Sequence, residues 1–201
     1  MPPTPRATAR RQPPTVRRED LLAVTMRCLA ELGPRGTTGR EICRRAGVSH
    51  GLLRHYFDNP DDLLLESYQR LCDHFISRFE TTLGEPGGPR EALDRMFATL
   101  FDAEWEQADV LGAWMAFWSL VRSSEAFAAV SEAYNARLRG LLRGALERLP
   151  RGEGAVAVEE VIPILSALMD GLWLDVCLAP GRLSRERAVE LWRLAVRRLT
   201  A

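Results

Sequence analysis

The feature that most constrains this chain is the spacing of its apolar residues, which recur at intervals of three and four from about residue 16 onward and form no convincing alternating run. Side chains three and four apart share one face of a helix, whereas a half-buried strand needs a period of two. The expected fold class is therefore all-α. Glycines, prolines and capping residues divide the pattern into nine helices, expected at about 16–32, 38–46, 50–56, 60–83, 89–105, 109–122, 125–149, 156–179 and 184–200.

The punctuation is most informative early in the chain. Leu22, Met26, Leu29 and Leu32 line one face of the first helix, which is expected to stop at Gly33 before Pro34. Thr38-Gly-Arg-Glu41 has the form of a capping box, in which hydroxyl and carboxylate satisfy free amides reciprocally. Gly47 supplies a tight turn, and Ser49 can cap a short third helix. Pro60 suits the first position of the fourth helix, where Asp61 and Asp62 complement its positive end.

Charge separates the same way. The 201 residues carry no net charge, yet residues 1–57 hold 11 Arg against 4 acids, giving +7, and the remainder holds 16 Arg against 23 acids, giving −7. A small basic head on an acidic body suits a polyanion-binding protein, because arginine neutralises phosphate. Residues 1–15, with five prolines and three arginines, are expected to be a flexible basic tail, either an ordinary leader or an arm reaching a DNA groove. Residues 16–60 are then the head, and residues 61–201 the body. No apolar run reaches the roughly 18 consecutive residues of a membrane span, and the N-terminus lacks a signal peptide's apolar centre, so a cytoplasmic location with no membrane partner is expected.

Residues 38–57, two short amphipathic helices joined at Gly47, have the arithmetic of a helix-turn-helix. In that geometry the second helix enters the major groove by its N-terminal end. Ser49, His50, Gly51 and Arg54 would face the groove. Gly51 costs a helix up to about 1 kcal/mol relative to alanine, which suggests a close approach to something at that point.

The head resembles the tetracycline-repressor (TetR) family. The matching positions are Gly33, Thr37-Thr38, Ile42, Ala46-Gly47-Val48-Ser49, Tyr56-Phe57 and Leu63-Leu64. The resemblance implies phosphate contacts from Thr37 or Thr38, Ser49, His55 and Tyr56. It places His50, Gly51, Leu52 and Arg54 nearest the bases. A lysine that usually binds phosphate is replaced by Pro60, for which Arg40, Arg44 or the basic tail could compensate. The body is similar to the choline-responsive BetI-like branch through Trp114-Met-Ala-Phe-Trp118 and Leu168-Met-Asp-Gly-Leu-Trp173, and the resemblance spans about residues 16–199.

Tryptophans at helical spacing serve equally as core or as pocket walls. As a pocket, Trp114, Phe117, Trp118 and Trp173, with Trp105 close by, would attract a cation to their ring faces, and Asp170 would add charge; a ligand of another kind would fit the same walls. The wide apolar faces of the last two helices suggest a homodimer interface through Ile162, Leu165, Met169, Trp192, Val196 and Leu199. The family forms such a four-helix interface, and its two-fold symmetry matches a palindromic operator in double-stranded DNA. Function then reads as a sequence-specific transcriptional regulator, a repressor released from its operator by a small-molecule effector.

Two other classes compete: a helical ligand-binding or protein-interaction scaffold without DNA binding, and an enzyme. Against the latter, Gly152-Glu-Gly154-Ala-Val-Ala157 matches a dinucleotide fingerprint only literally, since a helix and Pro150 precede it where a strand is needed. His50 and His55 are five apart and diverge on a helix, and Cys28, Cys43, Cys72 and Cys177 are scattered. No catalytic residues, metal site or cofactor are expected.

Overall fold

The computed structural model describes residues 14–102, 108–179 and 181–201, which form nine α-helices and no strand. The helices are α1 (Pro14–Gly36), α2 (Gly39–Ala46), α3 (His50–Tyr56), α4 (Pro60–Gly84), α5 (Pro89–Ala98), α6 (Ala108–Val121), α7 (Glu125–Leu146), α8 (Val158–Leu178) and α9 (Arg185–Leu199). Most of the expected tail and Trp105 lie outside the described residues.

The head closes around Leu21, Val24, Cys28, Ile42, Leu53 and Phe57, drawn from α1, α2 and the end of α3. Gly33, at φ 64°, breaks α1 where the sequence places its stop. Leu32, one residue earlier, is exposed rather than buried, because the inward face is carried by Leu21, Leu22, Val24, Thr25, Cys28 and Leu29.

The capping box at the start of α2 forms by half. Thr38 Oγ1 accepts from Glu41 N at 3.2 Å, but Thr38 N donates to Gly36 O and the Glu41 carboxylate turns to Arg44 and Arg45. Two guanidiniums attract a carboxylate more strongly than a backbone amide does. They hold the Glu41 pKa down at about 2.

The body packs α4 to α9 around one large core. α5 ends at Ala98, short of the expected 105, and Thr99–Phe101 tightens into a 3-10 turn in which the Thr99 hydroxyl donates to Met96 O. The turn brings Phe101 edge-on to Phe97, and Phe97 stacks flat on Trp192 of α9, with centroids 4.6 Å apart.

α1 belongs to both units. Its Leu29 joins the body core, and its long contact with α6 crosses where two small residues, Ala30 and Gly112, meet. α4 runs out of the head into the body, and Glu66 on it forms a bidentate ion pair with Arg18 of α1. The Arg18 guanidinium also lies 4.7 Å over the Phe57 ring, at the end of α3. Head orientation is thus tied to two body helices.

Candidate DNA-binding surface and ligand cavity

Ser49 caps α3 by accepting from Leu52 N at 3.1 Å, as Thr38 caps α2. In both caps the hydroxyl oxygen serves the helix, so its own hydrogen remains free to donate to a phosphate. Thr37 is different: it is buried, and its hydroxyl already donates to Gly33 O at 2.8 Å. Of the two threonines, only Thr38 is exposed with a hydroxyl hydrogen not already committed to the backbone.

α3 is held from inside by Leu53, 1% exposed, and by Phe57 behind it. That anchoring turns His50, Gly51, Arg54 and His55 to solvent, with Leu52 and Tyr56 half-buried at the margins. Arg40 is likewise exposed, and among the described residues neither it nor Arg54 has an acid within ion-pair distance. Arg44 and Arg45 face the same solvent but are committed to Glu41 and, for Arg45, to Glu31 at 2.6 Å. Of the two arginines proposed to replace a lysine at position 60, only Arg40 is free.

Pro60 is occupied structurally. It packs so tightly on Gly39 that a Cβ there would stand 2.9 Å from Pro60 Cγ, with His50 Cε1 next to the same point. Asn59 Oδ1 accepts from Asp62 N at 2.9 Å, and Asp61 and Asp62 complete a negatively charged first turn. The entry of α4 thus presents negative side chains where a lysine would present a positive one.

The tryptophans divide between two uses. Trp114, Trp118 and Trp173 line a cavity of about 130 Å³, together with Tyr68 and Phe75 of α4, Tyr134 of α7 and Asp170 of α8. Trp114 is 5.6 Å from Tyr134 and 6.1 Å from Trp118 between ring centroids, and Trp118 stands edge-on to Trp173 at 6.3 Å. Phe117, expected in this group, is not a wall. It is fully buried behind the cavity, 4.7 Å from the Tyr68 ring, because three residues from Trp114 and one from Trp118 the helix turns it toward Phe127.

Asp170 lines the cavity from α8 and is exposed as a residue, yet the surrounding helices crowd its carboxyl. That crowding disfavours the ionised carboxylate and pushes its pKa up to about 6. Burial and the neighbouring Asp170 likewise raise the Tyr134 phenol. Trp173 Nε1 is buried without a hydrogen-bond partner, and the buried Tyr68 hydroxyl has Ser131 and Cys72 beside it but no well-formed bond. No arginine is among the described lining residues, so the cavity offers one acid, aromatic faces and unused hydrogen-bonding groups.

Sequence reasoning missed Tyr68, Phe75, Ser131, Tyr134 and Asn135, which also line it. A signal existed for three of them: Ser131, Tyr134 and Asn135 form an i, i+3, i+4 polar stripe on an otherwise apolar face of α7.

The residues expected at a dimer interface take part in the packing of the single chain. Ile162, Leu165, Trp192 and Val196 are buried within this chain's own core, Met169 is buried and lines the cavity, and Leu199 is half-buried against that core. A helix apolar on two sides cannot be oriented from periodicity, and here the expected side faces inward. The outward apolar residues are Ile164 and Leu178 on α8 and Leu194 on α9, each more than 40% exposed.

Comparison with known proteins agrees with this architecture. Residues 21–67 match the tetR family of bacterial regulatory proteins, and residues 89–201 match the C-terminal domain of the BetI-type transcriptional repressor. The chain is 31% identical over 178 residues to the HTH-type transcriptional regulator BetI of Burkholderia ambifaria, covering 88% of this chain and 90% of that protein. A transcriptional regulator from Pseudomonas aeruginosa PAO1 superposes with a TM-score of 0.86 at 34% identity, over 94% of this chain and 93% of its own. A regulator from Saccharomonospora viridis, solved in complex with choline, shares the fold with a TM-score of 0.74 at 18% identity, over 91% and 96% of the two chains. With a head that matches the one family and a body that matches the other, this chain belongs to the tetR family and is a DNA-binding transcriptional regulator with a BetI-type C-terminal domain.

Proposed function

We propose that the protein is a homodimeric repressor that holds a palindromic operator through α3 and leaves it when a quaternary ammonium cation of the choline type enters the aromatic cavity. The observation that carries this reading is the composition of that cavity: five aromatic rings of Trp and Tyr, one Phe, one carboxylate and no base. Ring faces attract a cation by about 0.5–2 kcal/mol each when desolvated, and Asp170 adds an opposite charge. The choline bound by the similarly folded Saccharomonospora regulator supports the same ligand class.

The connection to DNA runs through shared helices. α4 supplies Tyr68 and Phe75 to the cavity and Glu66 to the Arg18 pair; α6 supplies Trp114 and Trp118, close to Gly112, which touches α1. A ligand that binds better to one arrangement of α4 and α6 shifts the population toward it, and the head follows. At the operator, Thr38, Ser49, His55 and Tyr56 set register on phosphates, with Arg40 as an additional charge. His50, Gly51, Leu52 and Arg54 lie nearest the bases.

Dimerisation rests on the outward stripe Ile164, Ala167, Leu168, Gly171 and Leu178 of α8, with Leu194 of α9, which pairs with itself across a two-fold axis. α8 is the one described helix long and apolar enough to cross a bilayer. Its inward face is taken up by Val161, Ile162, Leu165, Met169, Leu172 and Trp173, which favours a cytoplasmic protein.

Titration with choline, followed by tryptophan fluorescence, tests the ligand reading. A saturable change is expected that Asp170→Asn weakens at least tenfold, and no response at millimolar choline would overturn it.

A further inference from the structure

Leu100, in the 3-10 turn after α5, lines two spaces at once. One is the aromatic cavity; the other is a cleft of about 490 Å³ between the end of α5, α6 and the α8–α9 connection. Phe101, Leu111, Val176 and Leu183 line this cleft with Cys177, and Ser184, Arg185 and Glu186 line its α9 side. Leu111, Val176 and Leu183 are only half-buried, leaving apolar surface in a concave site. The cavity alone is small beside the roughly 300–1,000 Å³ of an ordinary ligand site.

We propose that the cleft is the subsite for an apolar tail, and that the ligands bound best are cations carrying an alkyl or acyl chain beyond the ammonium head. The head sits among the tryptophans with Asp170, and the chain passes Leu100 to cover Phe101, Leu111, Val176 and Leu183. The inference rests on the ammonium reading of the cavity and adds the second half of the ligand. Leu100 is a wall of both spaces, so one molecule can occupy both once the Leu100 side chain swings aside. Among the described lining residues Asp170 is the acid beside the head, whereas the cleft offers the tail apolar walls with Arg185 and Glu186 paired in charge along one side.

Cys177 gives a direct local readout. The other three cysteines are buried, so N-ethylmaleimide reacts at Cys177, slowly near neutral pH because partial burial raises its pKa. Tetramethylammonium and its butyl-, hexyl- and octyltrimethylammonium analogues are titrated by tryptophan fluorescence, and each is tested for protection of Cys177, with Cys177→Ser as the labelling control. Tetramethylammonium is expected to change the fluorescence while leaving Cys177 reactive. Each methylene that reaches the cleft should raise affinity about two- to fourfold. The octyl compound should slow labelling at least tenfold.

Leu183→Gln should abolish the gain with chain length and leave tetramethylammonium binding unchanged. A flat response to chain length, tight octyl binding with Cys177 unprotected, or an equal gain in Leu183→Gln would each overturn the proposal. A response to tetramethylammonium without chain-length dependence removes this extension alone. No response to any of the four cations removes the ammonium reading and the extension with it.

Discussion

Gly112 in α6 lies against Ala30 in α1 so closely that a Cβ on the glycine would stand 2.7 Å from the Ala30 Cα. Glycine inside a helix costs up to about 1 kcal/mol, and here the cost is offset by close helix packing between head and body. Gly112→Ala must push the backbones apart. It should destabilise the fold by about 1–3 kcal/mol, as overpacking does, and lower operator affinity in the same variant. Thermal unfolding together with DNA titration checks this, and an unchanged Tm with normal DNA binding would show that the crossing yields freely.

Gly51 gives the opposite signature. A Cβ there meets nothing nearer than Ser49 Oγ at 3.8 Å, so nothing in the chain itself requires glycine. Gly51→Ala should stabilise the head by roughly 0.5–1 kcal/mol and yet weaken operator binding, because the added methyl faces the groove. Equal operator affinity in the two proteins would place the DNA away from this point of α3.

Pro60→Lys tests the missing anchor. One further phosphate contact should steepen the slope of log affinity against log salt by roughly 0.9. The same substitution removes the ring packed on Gly39, so unfolding is followed alongside it. An unchanged slope in a folded variant would mean that the repulsion from Asp61 and Asp62 prevails.

Asp170 sets the pH dependence. Its carboxyl titrates near pH 6 in the free protein, and a cation favours the ionised form. Affinity for choline should therefore be level above about pH 7 and fall by up to tenfold per unit as the pH drops below 6, until the cation-lowered pKa of the complex is reached. Stability runs the other way: a carboxyl raised by burial stabilises fully below about pH 4 and loses that contribution as the pH rises through 6. Asp170→Asn should raise stability near pH 7.5 by about 1 kcal/mol, allowing for solvent screening, or roughly 2–4 °C, with little gain at pH 4. Loss of ligand together with a gain in Tm identifies a residue kept for binding.

The outward stripe of α8 predicts the assembly. Ile164→Arg should yield a folded monomer by sedimentation with much weaker operator binding, since the side chain is 46% exposed in the single chain. Trp192→Ala, by contrast, empties a fully buried site and should cost about 3–5 kcal/mol of stability. A dimer that survives Ile164→Arg would move the interface elsewhere.

The helix pattern was legible because caps, glycines and prolines act locally: Gly33, Thr38, Gly47, Ser49 and Pro60 end or begin helices where the sequence places them. Orientation was not. Ile162 and Ile164 are equally apolar, and only the packing of α8 on α7 and α9 decides that one faces the core and the other solvent. The same holds for Phe117 and Trp118, neighbours with opposite surroundings, and for Thr37 and Thr38, one buried and one exposed. Cavity walls drawn from α4 and α7 were hidden for a related reason, since Tyr68 and Phe75 read as ordinary core residues until the fold leaves a space beside them.

The coupling of cavity to DNA is tested most directly by measuring affinity for an operator fragment, selected from random DNA, with and without saturating choline. The account predicts a loss of at least tenfold in affinity for the protein and little change for Asp170→Asn. Undiminished operator binding while tryptophan fluorescence shows the cavity filled would contradict it.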